Sequence, residues 1–147
     1  MALKKLLDRL GLSVYPKVSG ATGLHLYLPI APRYTFKQTS TFVKRLGETV
    51  ISALPDLATN ERRVADRAGK VYIDHLQNLR GKTIASVYSL RPFPDAPVSL
   101  PVTWAELPDT HPASFTIKNA LSRLNRVGDL FADLLVKRQE LPGDLLD

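Results

Sequence analysis

The sequence predicts a mixed α/β fold built on a small sheet, and three observations predict it. Two stretches, 2–10 and 35–54, repeat their apolar residues at helical spacing. Between them, two β-prone runs flank the small-residue turn Ser19-Gly20-Ala21-Thr22-Gly23. The runs able to form strands are too few to close a barrel, so helices must cover the sheet. With 147 residues, 44% of them hydrophobic, the chain is read as one domain, 1–147, around a single core.

Each element has its own signal. In the opening helix Leu3, Leu6, Leu7 and Leu10 fall at i, i+3, i+4 and i+7, and Gly11 stops it. Residues 13–17 read as extended, and 24–30 alternate around His25 and Tyr27 as a strand ended by Pro29 and Pro32. Phe36, Phe42, Val43, Leu46, Val50, Ile51 and Leu54 make 35–54 the longest helix, closed by Pro55. The polar segment 61–68 reads as helical, and the β-prone run 71–73 delivers Asp74 at its end. Residues 79–88 read as a turn leading into another strand. The stretch 92–112 holds more than half of the eleven prolines; proline cannot donate to a central ladder, so this stretch is expected to wind over the surface as an ordered connection. Two short helices, near 116–125 and 128–138, are expected to finish the chain. There is no internal repeat and no low-complexity tract.

Composition excludes several functional classes. Without cysteine, disulfide frameworks, thiolate metal sites and cysteine nucleophiles are ruled out, and the cytoplasm is the expected location. No stretch approaches the ~18 apolar residues of a membrane span. Lys4, Lys5, Asp8 and Arg9 interrupt the opening leucines, which makes 1–12 an amphipathic helix instead of an export signal. The net charge of +6 is uneven: residues 1–91 carry 15 basic and 6 acidic residues, whereas 92–147 carry 5 and 8. A basic region with an acidic tail suits a polyanion such as nucleic acid or a nucleoside triphosphate. A solvated basic surface with no dedicated ligand is the competing reading.

Few residues point to chemistry. The 19–23 turn between two strands is of the kind that brings backbone N–H groups up to phosphate oxygens, although a plain hairpin turn would use the same residues. It fits neither the Walker nor the Rossmann pattern. His25 shares a strand face with Tyr27 and is either a ligand-binding or a structural histidine. Asp74, after an apolar triplet, calls for a metal, an arginine or a helix N-terminus, or else is a simple cap or salt bridge. No nucleophile elbow surrounds Ser19, so a Ser19–His25–Asp74 hydrolase triad fails. His75, adjacent to Asp74 on an extended run, is expected to point the other way and not to join it on a metal.

The blocks SGATGLHLYLPI (19–30), ERR (61–63), VYIDHLQNLRGKTIASVYSLRP (71–92) and APVSLPVTWAEL (96–107) occur in the order and spacing of a known family. From about residue 2 to about residue 131 the chain resembles the polymerase domain of bacterial DNA ligase D. This is the primase-polymerase of non-homologous end joining, within the archaeo-eukaryotic primase superfamily. The resemblance implies a two-layer primase-polymerase-like sandwich, of which this chain matches the carboxyl-terminal half to two-thirds: a small mixed sheet with flanking helices. It implies that Asp74 is the third metal-binding aspartate, holding a divalent Mn or Mg ion beside the primer 3′-hydroxyl. Ser19, with Gly20 in the same turn, and His25 match residues on the incoming nucleotide's triphosphate, and Gln77 and Arg91 match residues lining that pocket. DNA ends and nucleoside triphosphate are the implied partners, together with the ligase and end-binding proteins of end joining.

Two departures from the family pattern bear on activity. Thr22 stands where the family commonly has lysine, so one triphosphate contact is expected to be missing or supplied elsewhere. The family's Asp-x-Asp pair lies on a strand preceding the helix that here opens at Met1. Two-metal nucleotidyl transfer uses about three carboxylates, so the 147 residues alone are expected to be inactive. The alternatives are a non-catalytic nucleotide- or nucleic-acid-binding module and a self-associating remnant. The latter would be a homodimer formed through sheet edges near 13–18 and 24–30, with Val14, Leu26 and Leu28 as apolar face, or through the leucine helix.

Overall fold

The structure, a computed structural model, describes residues 1–147. Where composition predicts one core, the residues pack as two compact units. One comprises 1–12, 30–83 and 140–147; the other comprises 13–29 and 84–139. Each unit buries its own apolar set, which is how a chain that crosses between them several times fills two interiors instead of one.

The first unit is built around helices. α1 (Ala2–Arg9) buries Leu7 almost completely, and its Leu10 C-cap leads to Gly11 at φ +70°. α2 (Phe36–Ala53) starts at a capping box: the Gln38 amide donates to Thr35 Oγ1 at 3.2 Å and the Thr35 amide donates to Gln38 Oε1 at 3.0 Å. Its buried face is Phe42, Leu46, Gly47 and Val50, and it packs against α1, against β3 (Ala58–Thr59) and against the 143–145 turn. β3 pairs in parallel with β4 (Val71–Tyr72), Ala58 opposite Val71. Arg45 on α2 donates to the carbonyls of Asp144 and Asp147, which fixes the carboxyl end of the chain.

In the second unit, β1 (Tyr15–Val18) lies between β2 (Leu24–Tyr27) and β5 (Leu100–Pro101), antiparallel to both. Tyr15 faces Tyr27 and Lys17 faces His25, so these four share one face; Val18, opposite Leu100, lies on the other with Val98 and Val102 in the core. α3 (Ala120–Val127) supplies Arg123, buried with its Nη2 on Pro101 O at 3.1 Å and Glu106 Oε2 at 2.9 Å, and its guanidinium 4.8 Å from the Phe115 ring centre.

Several expectations are corrected. Residues 61–68 are not an α-helix but an irregular segment with a single 3₁₀ turn, Val64–Asp66; the Arg67 side chain takes the Glu61 and Arg62 carbonyls, which removes the need for a helical ladder. Residues 79–88 form no strand. Both sides of β1 are already occupied, Tyr88 turns the backbone at φ +62°, and Lys17 serves the Ala85 carbonyl that a ladder would have used. The 92–112 stretch is not a surface connection throughout: residues 97–102 are buried and include β5, an outer strand on which Pro101 is tolerated. The segment 128–138 forms only a 3₁₀ turn, Ala132–Leu135, after Gly128 at φ +73°. The open edge expected along 13–18 is absent, since β1 has neighbours on both sides, and Leu7 of the opening helix is buried within its own unit.

Candidate phosphate-binding site

The β1–β2 connection is held by its own serine. Ser19 Oγ accepts from the amides of Ala21 at 3.1 Å and Gly23 at 3.0 Å, and the Ser19 amide donates to the Gly23 carbonyl at 2.9 Å. The Gly20 amide donates to Pro112 O at 3.1 Å. Four of the five amides in 19–23 are therefore spent inside the protein, so the loop is not the backbone anion cradle that its composition allows. Gly20 is required for a different reason. At φ +68° its position already favours glycine, and a Cβ there would stand 2.7 Å from Arg91 Cγ and 3.0 Å from the Ser99 amide nitrogen. Its missing side chain lets the Arg91 stem lie against the turn.

Around this packing lie basic side chains with few partners. His25, half-buried on β2, has a buried Nδ1 with no hydrogen-bond partner, and Arg91 likewise has a buried, unpartnered Nε. Burial, then the charges of Lys17 and Arg91, push the His25 imidazole below its usual range, so near neutral pH it is uncharged and can donate from one nitrogen. Arg91 is set by its backbone, whose amide donates to Pro97 O at 2.7 Å beside the Leu90–Val98 bridge.

Sequence reasoning missed the most deeply placed cation. Lys17, in the middle of β1, has no exposed surface, and burial followed by the Arg91 charge lowers its pKa to about 8. A lysine inside the run Tyr15-Pro16-Lys17-Val18, two residues before Ser19 and level with His25, was the available signal.

Ser19, Gly20, His25 and Arg91 thus come together in one unit; Asp74 and Gln77 belong to the other. Asp74 follows the end of β4 and is exposed. Its Oδ1 accepts from the Leu76 amide at 2.8 Å and from Tyr72 Oη at 3.5 Å, the local cap among the readings open to it. Because β4 ends at Tyr72, strand alternation does not govern Asp74 and His75. Gln77 spans its own loop by donating from Nε2 to the Thr83 carbonyl. No three His, Asp or Glu side chains gather anywhere in the chain, so its donor set does not fit a divalent ion on its own.

Comparison with known proteins agrees with this arrangement of blocks. A family model described as LigD, primase-polymerase domain, matches residues 1–131. The bifunctional non-homologous end joining protein LigD of Bacillus subtilis (strain 168) is 38% identical over 142 residues, covering 95% of this chain and 23% of that protein. The multifunctional non-homologous end joining DNA repair protein LigD of Mycobacterium tuberculosis (strain ATCC 25618 / H37Rv) is 37% identical over 133 residues, covering 90% of this chain and 18% of that protein. Among solved structures, the polymerase domain from Mycobacterium tuberculosis ligase D in complex with DNA superposes with a TM-score of 0.84 at 36% identity, covering 94% of this chain and 48% of that one. The chain therefore spans less than a quarter of the length of these full relatives and about half of the solved domain. With a mixed α/β fold that superposes on it and a family match across most of its length, the chain belongs to the LigD primase-polymerase family.

Proposed function

We propose that this chain is the nucleotide-binding portion of a template-directed nucleotidyltransferase that adds nucleotides to DNA ends in end joining. Ser19, His25 and Arg91 engage the triphosphate of the incoming nucleotide. The observation that carries the reading is the pair of buried, unpartnered nitrogens, His25 Nδ1 and Arg91 Nε, beside a turn packed so tightly that Gly20 is obligatory. A buried polar group without a partner costs about 1–3 kcal/mol, and a phosphate oxygen beside each nitrogen relieves that cost. Asp74 supplies one carboxylate toward a Mn or Mg ion. The remaining carboxylates would come from polypeptide outside these residues, so the 147 residues alone bind nucleotide without extending a primer. The DNA-bound neighbour supports DNA as the polymer partner, and the ligase and end-binding proteins of end joining are the protein partners we infer. No helix is long and apolar enough to cross a membrane.

Titration of a fluorescent nucleoside triphosphate tests this. His25→Ala and Arg91→Ala should each weaken binding about tenfold or more, the equivalent of ~1.5–3 kcal/mol for a charge-assisted bond. Unchanged affinity in both would refute the site. Primer extension with Mn²⁺ should give no product from the chain alone, and extension that vanishes in Asp74→Ala would show that its own carboxylates suffice.

A further inference from the structure

Lys17 raises a question that the triphosphate reading leaves open. Its ammonium is fully buried, yet no carboxylate pairs with it; Nζ donates instead to Ala85 O at 2.5 Å and to Ser99 Oγ at 2.8 Å, with the Tyr27 ring centre 5.5 Å away. Burying an ammonium without a counter-charge is costly, and an apolar side chain of equal length would fill the same space without that cost. The charge sits where two other cationic or donor groups, Arg91 and His25, also lack an anion.

The bonds made by Lys17 show what the ammonium accomplishes. Ser99 Oγ, which accepts from Lys17, donates onward to Val18 O at 3.0 Å, so β1 and the β5 segment are joined by side chains as well as by the ladder. The β5 segment in turn carries the Arg91 segment: the Tyr88 amide donates to Ser99 O at 2.7 Å, the Ser99 amide to Ser89 O at 2.9 Å and the Arg91 amide to Pro97 O at 2.7 Å. Lys17 therefore grips the Arg91 segment twice, directly at Ala85 and through Ser99, from the strand that leads into Ser19.

We propose that Lys17 is a positioning residue of the phosphate site: its ammonium ties residues 84–91 and β5 to β1, and so fixes Arg91 against the Ser19–Gly23 turn in the orientation that meets a phosphate chain. This rests on the phosphate-binding reading above. The ligand class it serves is an anion such as a phosphate chain, because no acid forms an ion pair with Lys17, His25 or Arg91.

The test uses the full chain with Lys17→Met, Ser99→Ala and wild type, read by residue-resolved hydrogen exchange, by binding of inorganic tripolyphosphate and by NMR titration of His25. Loss of bonds to a charged donor predicts that Tyr88, Arg91 and Ser99 amides of Lys17→Met exchange about tenfold faster while α2 amides are unaffected, and that tripolyphosphate binds about tenfold more weakly. Ser99→Ala should move the same amides in the same direction. The His25 imidazole should titrate at higher pH in Lys17→Met but not in Ser99→Ala, which keeps the ammonium. Unaltered protection over 84–91 in both variants, or a loss spread evenly into α2, overturns the proposal. If wild type binds no tripolyphosphate, the triphosphate reading fails and the exchange data alone decide whether Lys17 positions residues 84–91. If Lys17→Met does not fold, exchange in Ser99→Ala decides it.

Discussion

The surroundings of Asp74 and of Lys17 differ in nearly every physical respect. Asp74 stands exposed past a two-residue strand, its carboxylate occupied by a backbone amide two residues on. Lys17 lies at the centre of a three-stranded sheet with no exposed surface, bonded to two segments 68 and 82 residues away in sequence. The first residue is held only by its own turn; the second is fixed by the chain's long-range packing. One residue is thus held by contacts distant in sequence, the other by a turn of its own neighbours.

The sharpest way to break this contrast is at glycine. Gly20→Ala places a Cβ against Arg91 Cγ and two backbone atoms at a left-handed φ, and should cost about 3 kcal/mol in urea unfolding, the sum of the backbone and overpacking penalties. Gly69→Ala, at φ +76° with open space around it, should cost only ~1–2 kcal/mol. Equal losses would mean that the turn yields as readily as a surface loop.

Next in size is a pH effect from Lys17. Below pH 8 the lysine is protonated in folded and unfolded chains, and the folded state bears the whole cost of burying it. Between about 8 and its ordinary 10.5 the folded lysine is neutral while the unfolded one still holds its proton. The unfolded state then binds more protons, so this group makes stability rise with pH, by about 2–3 kcal/mol in all. Tyr88, held above the usual tyrosine range by burial and its bond to Asp129, works in the opposite direction above pH 10. Urea midpoints from pH 7.5 to 10 should therefore rise in wild type relative to Lys17→Met.

The smallest expected effect belongs to Asp74. Removing an exposed turn acceptor by Asp74→Ala should cost no more than ~1 kcal/mol and leave metal-free nucleotide binding unchanged, in contrast to the His25 and Arg91 substitutions. A larger loss of stability would place Asp74 within a packed network.

Legibility in the sequence followed the range of the forces involved. The 2–10 and 35–54 helices and the strand-turn-strand of 13–30 were visible because apolar periodicity acts within a few residues. The reading of 61–68 as a helix failed because the Arg67 side chain satisfied the carbonyls instead, and that of 92–112 as a surface connection because buried residues 97–102 found β1 from about 80 positions away. Of the residues that the motif blocks point to, the structure brings Ser19, His25 and Arg91 into one unit with Asp74 and Gln77 in the other, and neither Lys17 nor the internal use of the loop amides could be read from those blocks.

The sequence by itself determined the family, the mixed α/β class, the long capped helix and the glycine at position 20, each encoded in local spacing or in ordered motif blocks. Only the tertiary structure decided which cations share a face and which of them are buried. It alone brought Ala85 and Ser99 to Lys17, and it alone left His25 Nδ1 and Arg91 Nε without partners. The physical reason is that burial and electrostatic coupling depend on distances between residues far apart in the chain, and no local pattern fixes those distances.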